Sequence, residues 1–329
     1  MIIAAISKLL NQDPQFSSPK LGEVPEWAEG SVNKEKERSM KVTIDNKSGF
    51  CYGVVSAISK AEELVAEGKR VYSLGDIVHN GLEVARLESL GVRTISHADL
   101  ADIEPTPESR ILIRAHGEPK STYATLGNLS LGYADATCPV VAKLQKLTVE
   151  ADRQMREVGG TVLILGKKGH AEVVGLNGQI EDRARVVEKV ADLEGVDFSK
   201  PIFLLSQTTQ SLALFAEVRD EVMRRSTNPE SVIVRDTICR QVAGREEHLR
   251  AFAKECDMVV FVCGKKSSNG KVLFEACHSA NPNSVKIESP EELTREMFEG
   301  VENVGVCGAT STPHWLMEQA RDTILAFQK

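Results

Sequence analysis

The chain has 329 residues, 42% of them apolar and 26% charged, with a formal net charge of -7. That is ordinary globular composition, with length for roughly two or three domains. The acidic balance argues against a nucleic-acid or membrane-surface binder, and no apolar run reaches the roughly 18 residues of a spanning helix.

The opening MIIAAISKLL has too short an apolar core for a signal peptide and lacks a basic leader. A cytoplasmic location with reduced thiols is therefore expected. Seven cysteines, an odd number without close pairs, fit neither a disulfide framework nor a C-x-x-C zinc knuckle. Buried thiols or dispersed ligands remain.

In chain order, residues 1–39 come first. They hold PQFSSPKLGEVPEWAEG and the charge run NKEKER without a sustained period, and read as a loosely ordered extension. Met40 stands directly ahead of the strand-like KVTID and offers an alternative translation start. From there a threefold repeat begins. Cys51 in GFCYGV, Cys138 in DATCPV and Cys239 in DTICRQ each lead into a helical pattern. An apolar strand with a polar end follows each helix: VYSLGDIVHN, TVLILGKKGHAE and MVVFVCGKKSSNG. A second such strand follows in each unit: ILIRAHGEP, IFLLSQTTQ and VGVCGATSTP. The GKK shared by units two and three is the clearest internal match.

Short apolar strands alternating with helices predict an α/β fold with parallel sheets. The expected lobes are 40–136, 137–237 and 238–329, in a pseudo-threefold array with one cysteine each. Ligands of such sheets bind beyond the carboxyl ends of the strands, where all six polar clusters lie.

At helix starts the peptide dipole and free N–H groups favour thiolate in Cys51, Cys138 and Cys239. Thiolates are the usual iron–sulfur ligands, and three of them leave one iron open. Cys256, Cys263, Cys277 and Cys307 lack this placement and read as core. His79, His116 and His170 end or follow strands, which suits an anion cradle or a metal site. His97, His248, His278 and His314 break that rule and read as surface or capping residues.

Ser267, Ser268 and Asn269, with Ser311 and Thr312, precede predicted helices. Such groups cap helices everywhere, but two helix starts with hydroxyl donors also bind phosphate. Glu172, two residues after His170, reads either as a first-turn acid or, beside the Gln207 amide and the hydroxyls of Thr208 and Thr209, as part of a proton relay.

GFCYGV, VHN, AHG, DATCP, GHAE, SQTT, DTIC, SSN and ATSTP occur here in that order. From about Met40 to the C-terminus the chain thereby resembles the 4-hydroxy-3-methylbut-2-enyl diphosphate reductase (IspH/LytB) family, which closes the methylerythritol phosphate route to isoprenoids. The resemblance implies that Cys51, Cys138 and Cys239 hold a 4Fe–4S cluster at the centre of three lobes. It implies that His79, His116, Ser267, Asn269 and Ser311 bind the substrate diphosphate, with Ser268 and His170 alongside. Glu172 would supply protons, with Thr208 and Gln207 in the relay.

The implied electron donor is a ferredoxin or flavodoxin. Two departures stand out: GHAE replaces the usual GHPE, and RQVAGR follows Cys239. Two rivals are a zinc-dependent hydrolase of small diphosphates, using Cys and His ligands with Glu172 as base, and a simple electron carrier.

Overall fold

The computed structural model describes residues 40–328. The extension expected at 1–39 lies outside the described residues. β1 (Lys41–Ile44) leads through Cys51 into α1 (Tyr52–Ala66). Next come β2 (Arg70–Leu74), α2 (Gly81–Ser89), β3 (Val92–Ile95), β4 (Ser109–Ile113), α3 (Lys120–Asn128) and β5 (Tyr133–Asp135). The second repeat runs α4 (Pro139–Glu157), β6 (Thr161–Leu165), α5 (Ala171–Gly178), β7 (Arg185–Val187), β8 (Ile202–Ser206), α6 (Leu212–Arg225) and β9 (Val232–Val234). The third runs α7 (Arg240–Lys254), β10 (Met258–Val262), α8 (Ser268–Ala280), β11 (Ser284–Ile287), β12 (Asn303–Gly308) and α9 (His314–Ala326).

These strands form three four-stranded sheets in the orders β3-β2-β4-β5, β7-β6-β8-β9 and β11-β10-β12-β1. Every pairing is parallel. The expected α/β fold of three similar lobes is therefore present. One placement differs from the sequence reading: β1, assigned there to the first lobe, pairs with β12 in the third sheet. The reason is the symmetry itself. β5 and β9 are the outer strands that precede Cys138 and Cys239, and β1 fills the same position before Cys51. Each cysteine thus lies where the chain crosses from one lobe to the next.

The inner strands are buried on both faces, which explains their unbroken apolar runs. In the second lobe Val162, Ile164, Phe203 and Leu205 pack with Leu144, Ala151 and Met155 of α4. Their neighbours Leu163, Leu165, Ile202 and Leu204 face Phe215, Val218 and Val222 of α6. In the third lobe Val260 and Val262 face Leu316 and Ala320 of α9, while Val259 and Phe261 face Leu249 of α7 and Leu273 of α8. α4 buries Val141, Leu144, Thr148, Ala151, Asp152 and Met155, the three- and four-residue spacing of a one-sided helix.

The lobes approach closely at glycines. A Cβ on Gly264 would collide with the His79 carbonyl, and one on Gly53 would lie 2.9 Å from the Cys138 Sγ. The first contact joins the third lobe to the first, and the second sets α1 against the start of α4.

Candidate active site

The polar strand ends of all three lobes meet around one central cavity of about 100 Å³, several times the space a single water needs. Cys51, Cys138 and Cys239 line it together. Each is the N-cap residue of its helix, α1, α4 or α7. Each also donates its backbone N–H to a carbonyl just past an inner strand: Cys51 to Thr310 at 3.2 Å, Cys138 to Ala115 at 3.1 Å and Cys239 to Thr208 at 2.8 Å. The threefold pattern thus extends to hydrogen bonds. Burial pushes the Cys138 thiol up, partly offset by the amides of Val140 and Val141 at the helix start. The absence of a Cβ on Gly53 leaves room for the Cys138 sulfur.

On the other side of the cavity three imidazoles cluster. Ring centroids of His79, His116 and His170 lie 5.0 to 5.4 Å apart. Burial is the main cause that lowers all three, strongly for His116 and to about 4 for His170, with Arg114 adding to each. They are therefore neutral at pH 7. His170 caps α5: its Nδ1 accepts from the Glu172 amide at 3.2 Å. That fixes the proton on Nε2. His79 Nε2 and His116 Nδ1 are buried without a hydrogen-bond partner, an arrangement that costs free energy until a ligand satisfies it.

The third lobe supplies the rest. Ser267 caps α8, accepting from the Gly270 amide at 3.0 Å, and its Oγ lies 3.0 Å from Ser311 Oγ. Asn269 Oδ1 accepts from the Thr310 amide at 3.0 Å and the Thr310 hydroxyl at 2.8 Å. This orients its Nδ2 as a free donor, buried and without a partner. Ser268 also lines the cavity, at the first turn of α8. Thr312 does not contribute: its hydroxyl is bound to the Val262 carbonyl at 2.6 Å. Pro313 is the N-cap of α9.

Glu172 is buried in the cavity wall. Its Oε1 accepts from the Thr208 amide and its Oε2 from the Thr208 hydroxyl, both at 2.7 Å. Burial raises its carboxyl from 4.5 to about 7, although the two Thr208 bonds pull the other way. Gln207 is placed differently from Thr208. It borders a neighbouring hollow and not this cavity. Its Oε1 accepts from the Lys167 amide at 3.1 Å and its Nε2 donates to Thr209 Oγ1 at 2.8 Å.

That neighbouring hollow shares His79, His170, Thr209 and Ser268 with the cavity. Five lysines, 167, 168, 265, 266 and 271, and Arg114 line it against Asp76 and Glu118. The two GKK repeats thus form a cationic approach to the histidines, in a chain that is acidic overall.

The LytB protein family model matches residues 42–325. The chain belongs to the LytB family. A 4-hydroxy-3-methylbut-2-enyl diphosphate reductase of Parabacteroides distasonis is 50% identical over 280 residues, 85% of this chain and 96% of that protein. One from Phocaeicola vulgatus is 46% identical over 287 residues, 87% of this chain and 99% of its own. A solved structure of (E)-4-hydroxy-3-methyl-but-2-enyl diphosphate reductase, described as the terminal enzyme of the non-mevalonate pathway, is 34% identical. It aligns with a TM-score of 0.65 over 87% of this chain and 99% of its own.

Arg114 and Thr310, which border the hollow and the cavity, were not singled out from the sequence. Arg114 stands two residues before His116 in IRAHG, and Thr310 stands beside Ser311 in ATSTP, so their places were adjacent to recognised motifs. None of the other histidines lines the cavity: His248 pairs with Asp45 at 2.6 Å, His97 borders the lysine-lined hollow and pairs with Glu118 at 2.8 Å, and His278 stacks on Phe274. Cys263, Cys277 and Cys307 are buried core residues. Among the described residues no helix is long and apolar enough to cross a membrane.

Proposed function

We propose that this chain reductively dehydroxylates 4-hydroxy-3-methylbut-2-enyl diphosphate to isopentenyl and dimethylallyl diphosphate. In the overall balance a C–O bond breaks, a C–H bond forms, two electrons and two protons are consumed, and water leaves. One observation carries the reading: three thiols, a buried acid of near-neutral pKa and a set of unsatisfied diphosphate-type donors line one cavity.

The donor set fits a 4Fe–4S cluster. Three cysteines at three helix starts, with none of the other four cysteines lining the cavity, leave one iron for substrate. When bound there, such a cluster supplies single electrons and a Lewis-acidic position for the substrate hydroxyl. The chain's own residues do the remainder. His79, His116, His170, Ser267, Ser268, Asn269 and Ser311 donate to the diphosphate and so place the hydroxyl end toward the thiols. Glu172, half-protonated near pH 7, donates a proton inside the closed cavity, and Thr208 holds its carboxyl in place. Gln207 acts from behind, fixing Lys167 and Thr209. The electrons come from a ferredoxin or flavodoxin.

The histidine trio, whose ligand atoms lie within 4.8 Å of one another, also favours a second reading, a zinc hydrolase. Arg114 and Lys167 speak against it, because the charges that lower His79 and His170 repel a cation and attract a diphosphate. The deciding experiment is an anaerobic assay of purified protein with the hydroxylated diphosphate and reduced methyl viologen, alongside iron, zinc and acid-labile sulfide analysis. Isoprenyl diphosphates with iron and sulfide support the reductase. Zinc without sulfide, and phosphate release without reductant, support the hydrolase.

A further inference from the structure

Cys51 borders two hollows. One is the central cavity, and the other is a surface hollow beside the N-termini of α1 and α7. The second is lined by Lys47, Tyr52, Arg240 and Arg245, and no carboxylate lines it. Of its three cations only Arg240 has an ion-pair partner among the described residues, Asp236 at 2.8 Å. Arg245 donates to the Gly49 carbonyl. It lines the hollow together with Cys51, and its charged neighbours include Asp45 as well as the thiols. Tyr52 is 62% exposed and Val55, one turn on, 45%.

We propose that this face is the docking site of a small acidic one-electron carrier protein. The inference rests on the reductive reading above, which consumes two electrons that no described side chain can supply. Each encounter oxidises the carrier by one electron, so two encounters serve one turnover. The lysine-lined hollow leads to the histidine side of the cavity, which the reductive reading assigns to the diphosphate. The surface hollow offers a separate route, with a thiol ligand in its wall. Charge also favours it. A chain of net charge -7 repels an acidic partner over most of its surface, so a local cationic patch orients the encounter. Exposed Tyr52 lines that patch, with exposed Val55 one turn further along α1, and aromatic and arginine residues are enriched at such interfaces. The small area suits the brief contacts of redox partners.

The test uses full-length holoprotein and purified ferredoxin. Calorimetry at low and high salt measures binding to the wild type, to Lys47→Gln/Arg240→Gln and to Tyr52→Ala. Turnover is driven in parallel by ferredoxin and by methyl viologen. The double variant is expected to bind ferredoxin about tenfold more weakly with a smaller salt dependence. Its ferredoxin-driven kcat/KM falls to match, while methyl viologen-driven turnover stays within twofold. A variant with equal charge loss elsewhere, Lys60→Gln/Lys200→Gln, retains ferredoxin binding. Unchanged binding in the double variant overturns the proposal, and so does equal weakening in the remote control. Equal loss of turnover with both reductants also overturns it, since the face then supports the cluster and not the carrier. Failure of the reductive reading looks different: wild-type protein shows no turnover with methyl viologen, whatever ferredoxin does.

Discussion

Glu172 and Thr208 are joined by two hydrogen bonds of 2.7 Å, amide to Oε1 and hydroxyl to Oε2, across α5 and the end of β8. Both carboxylate oxygens are satisfied, yet burial still holds the acid near 7. A carboxyl able to exchange a proton near neutral pH is the result, as the proposed donor role requires. Glu172→Gln preserves the shape and can still accept from the Thr208 amide. It is expected to lower kcat about 10²- to 10⁴-fold with cluster content and diphosphate affinity retained. Wild-type turnover in this variant would exclude the proton role.

The same group sets a pH dependence. If Glu172 donates the proton as proposed, kcat should fall as pH rises through about 7, where its carboxyl loses its proton. Thr208→Val removes a bond that favours the ionised form, so the descending limb moves to higher pH. Stability carries the same sign. A folded-state pKa raised from 4.5 to about 7 contributes about 3 kcal/mol, fully present below 4.5 and lost as pH climbs through 7. Urea unfolding from pH 4.5 to 8 should show a steeper loss in the wild type than in Glu172→Gln. Parallel curves would contradict the buried, titrating acid.

Gly53 and Cys138 make a second measurable pair. Gly53→Ala places a Cβ 2.9 Å from the Cys138 Cβ and Sγ, which forces α1 or the thiol to shift. Overpacking of this kind costs about 1–3 kcal/mol, here beside a proposed cluster ligand. The variant should fold with a reduced iron and sulfide content per chain, and Ser at Cys51, Cys138 or Cys239 should reduce it further. Full cluster content in Gly53→Ala would show that the thiol has slack.

Asn269 tests the diphosphate cradle. Asn269→Asp keeps the oxygen that Thr310 binds but replaces the free Nδ2 donor with negative charge. Losing a hydrogen bond to a charged group costs about 1.5–3 kcal/mol, so KM should rise about 10- to 100-fold while iron content stays unchanged. An unaltered KM would remove Asn269 from the cradle.

The lysine-lined hollow predicts a salt effect. Lys167→Gln/Lys271→Gln removes two exposed charges that have no ion-pair partner among the described residues, whereas Lys265 and Lys266 pair with Glu288 and Asp76. kcat/KM should drop several-fold at low salt, converge with the wild type at high salt, and leave kcat unaltered. A salt-independent loss would point to direct binding in place of steering.

The inner strands, the cysteine helices and the motif residues were legible because each has a local signal. VLIL, IFLL and MVVFV are too apolar to lie anywhere but inside, and a cysteine or hydroxyl before a helical period marks a helix start. The outer strands β3, β5, β7, β9 and β11 escaped notice. They are three or four residues long and partly exposed, so they hold their place by pairing and not by composition. The partner of β1 was equally hidden, since pairing with a strand some 260 residues later leaves no local mark.

By itself the sequence determined the α/β class, the threefold repeat, the family and the residue types of the site. The tertiary structure decided what those residues are. Only folding removes Glu172 from water and raises its pKa to about 7. Only folding separates Thr208, in the cavity, from Gln207, behind it. Only folding puts Cys51 between a diphosphate-type cradle and a cationic outer face. The physical reason is that burial, unsatisfied donors and local charge depend on what the rest of the fold brings near, and these neighbours lie tens to hundreds of residues away along the chain.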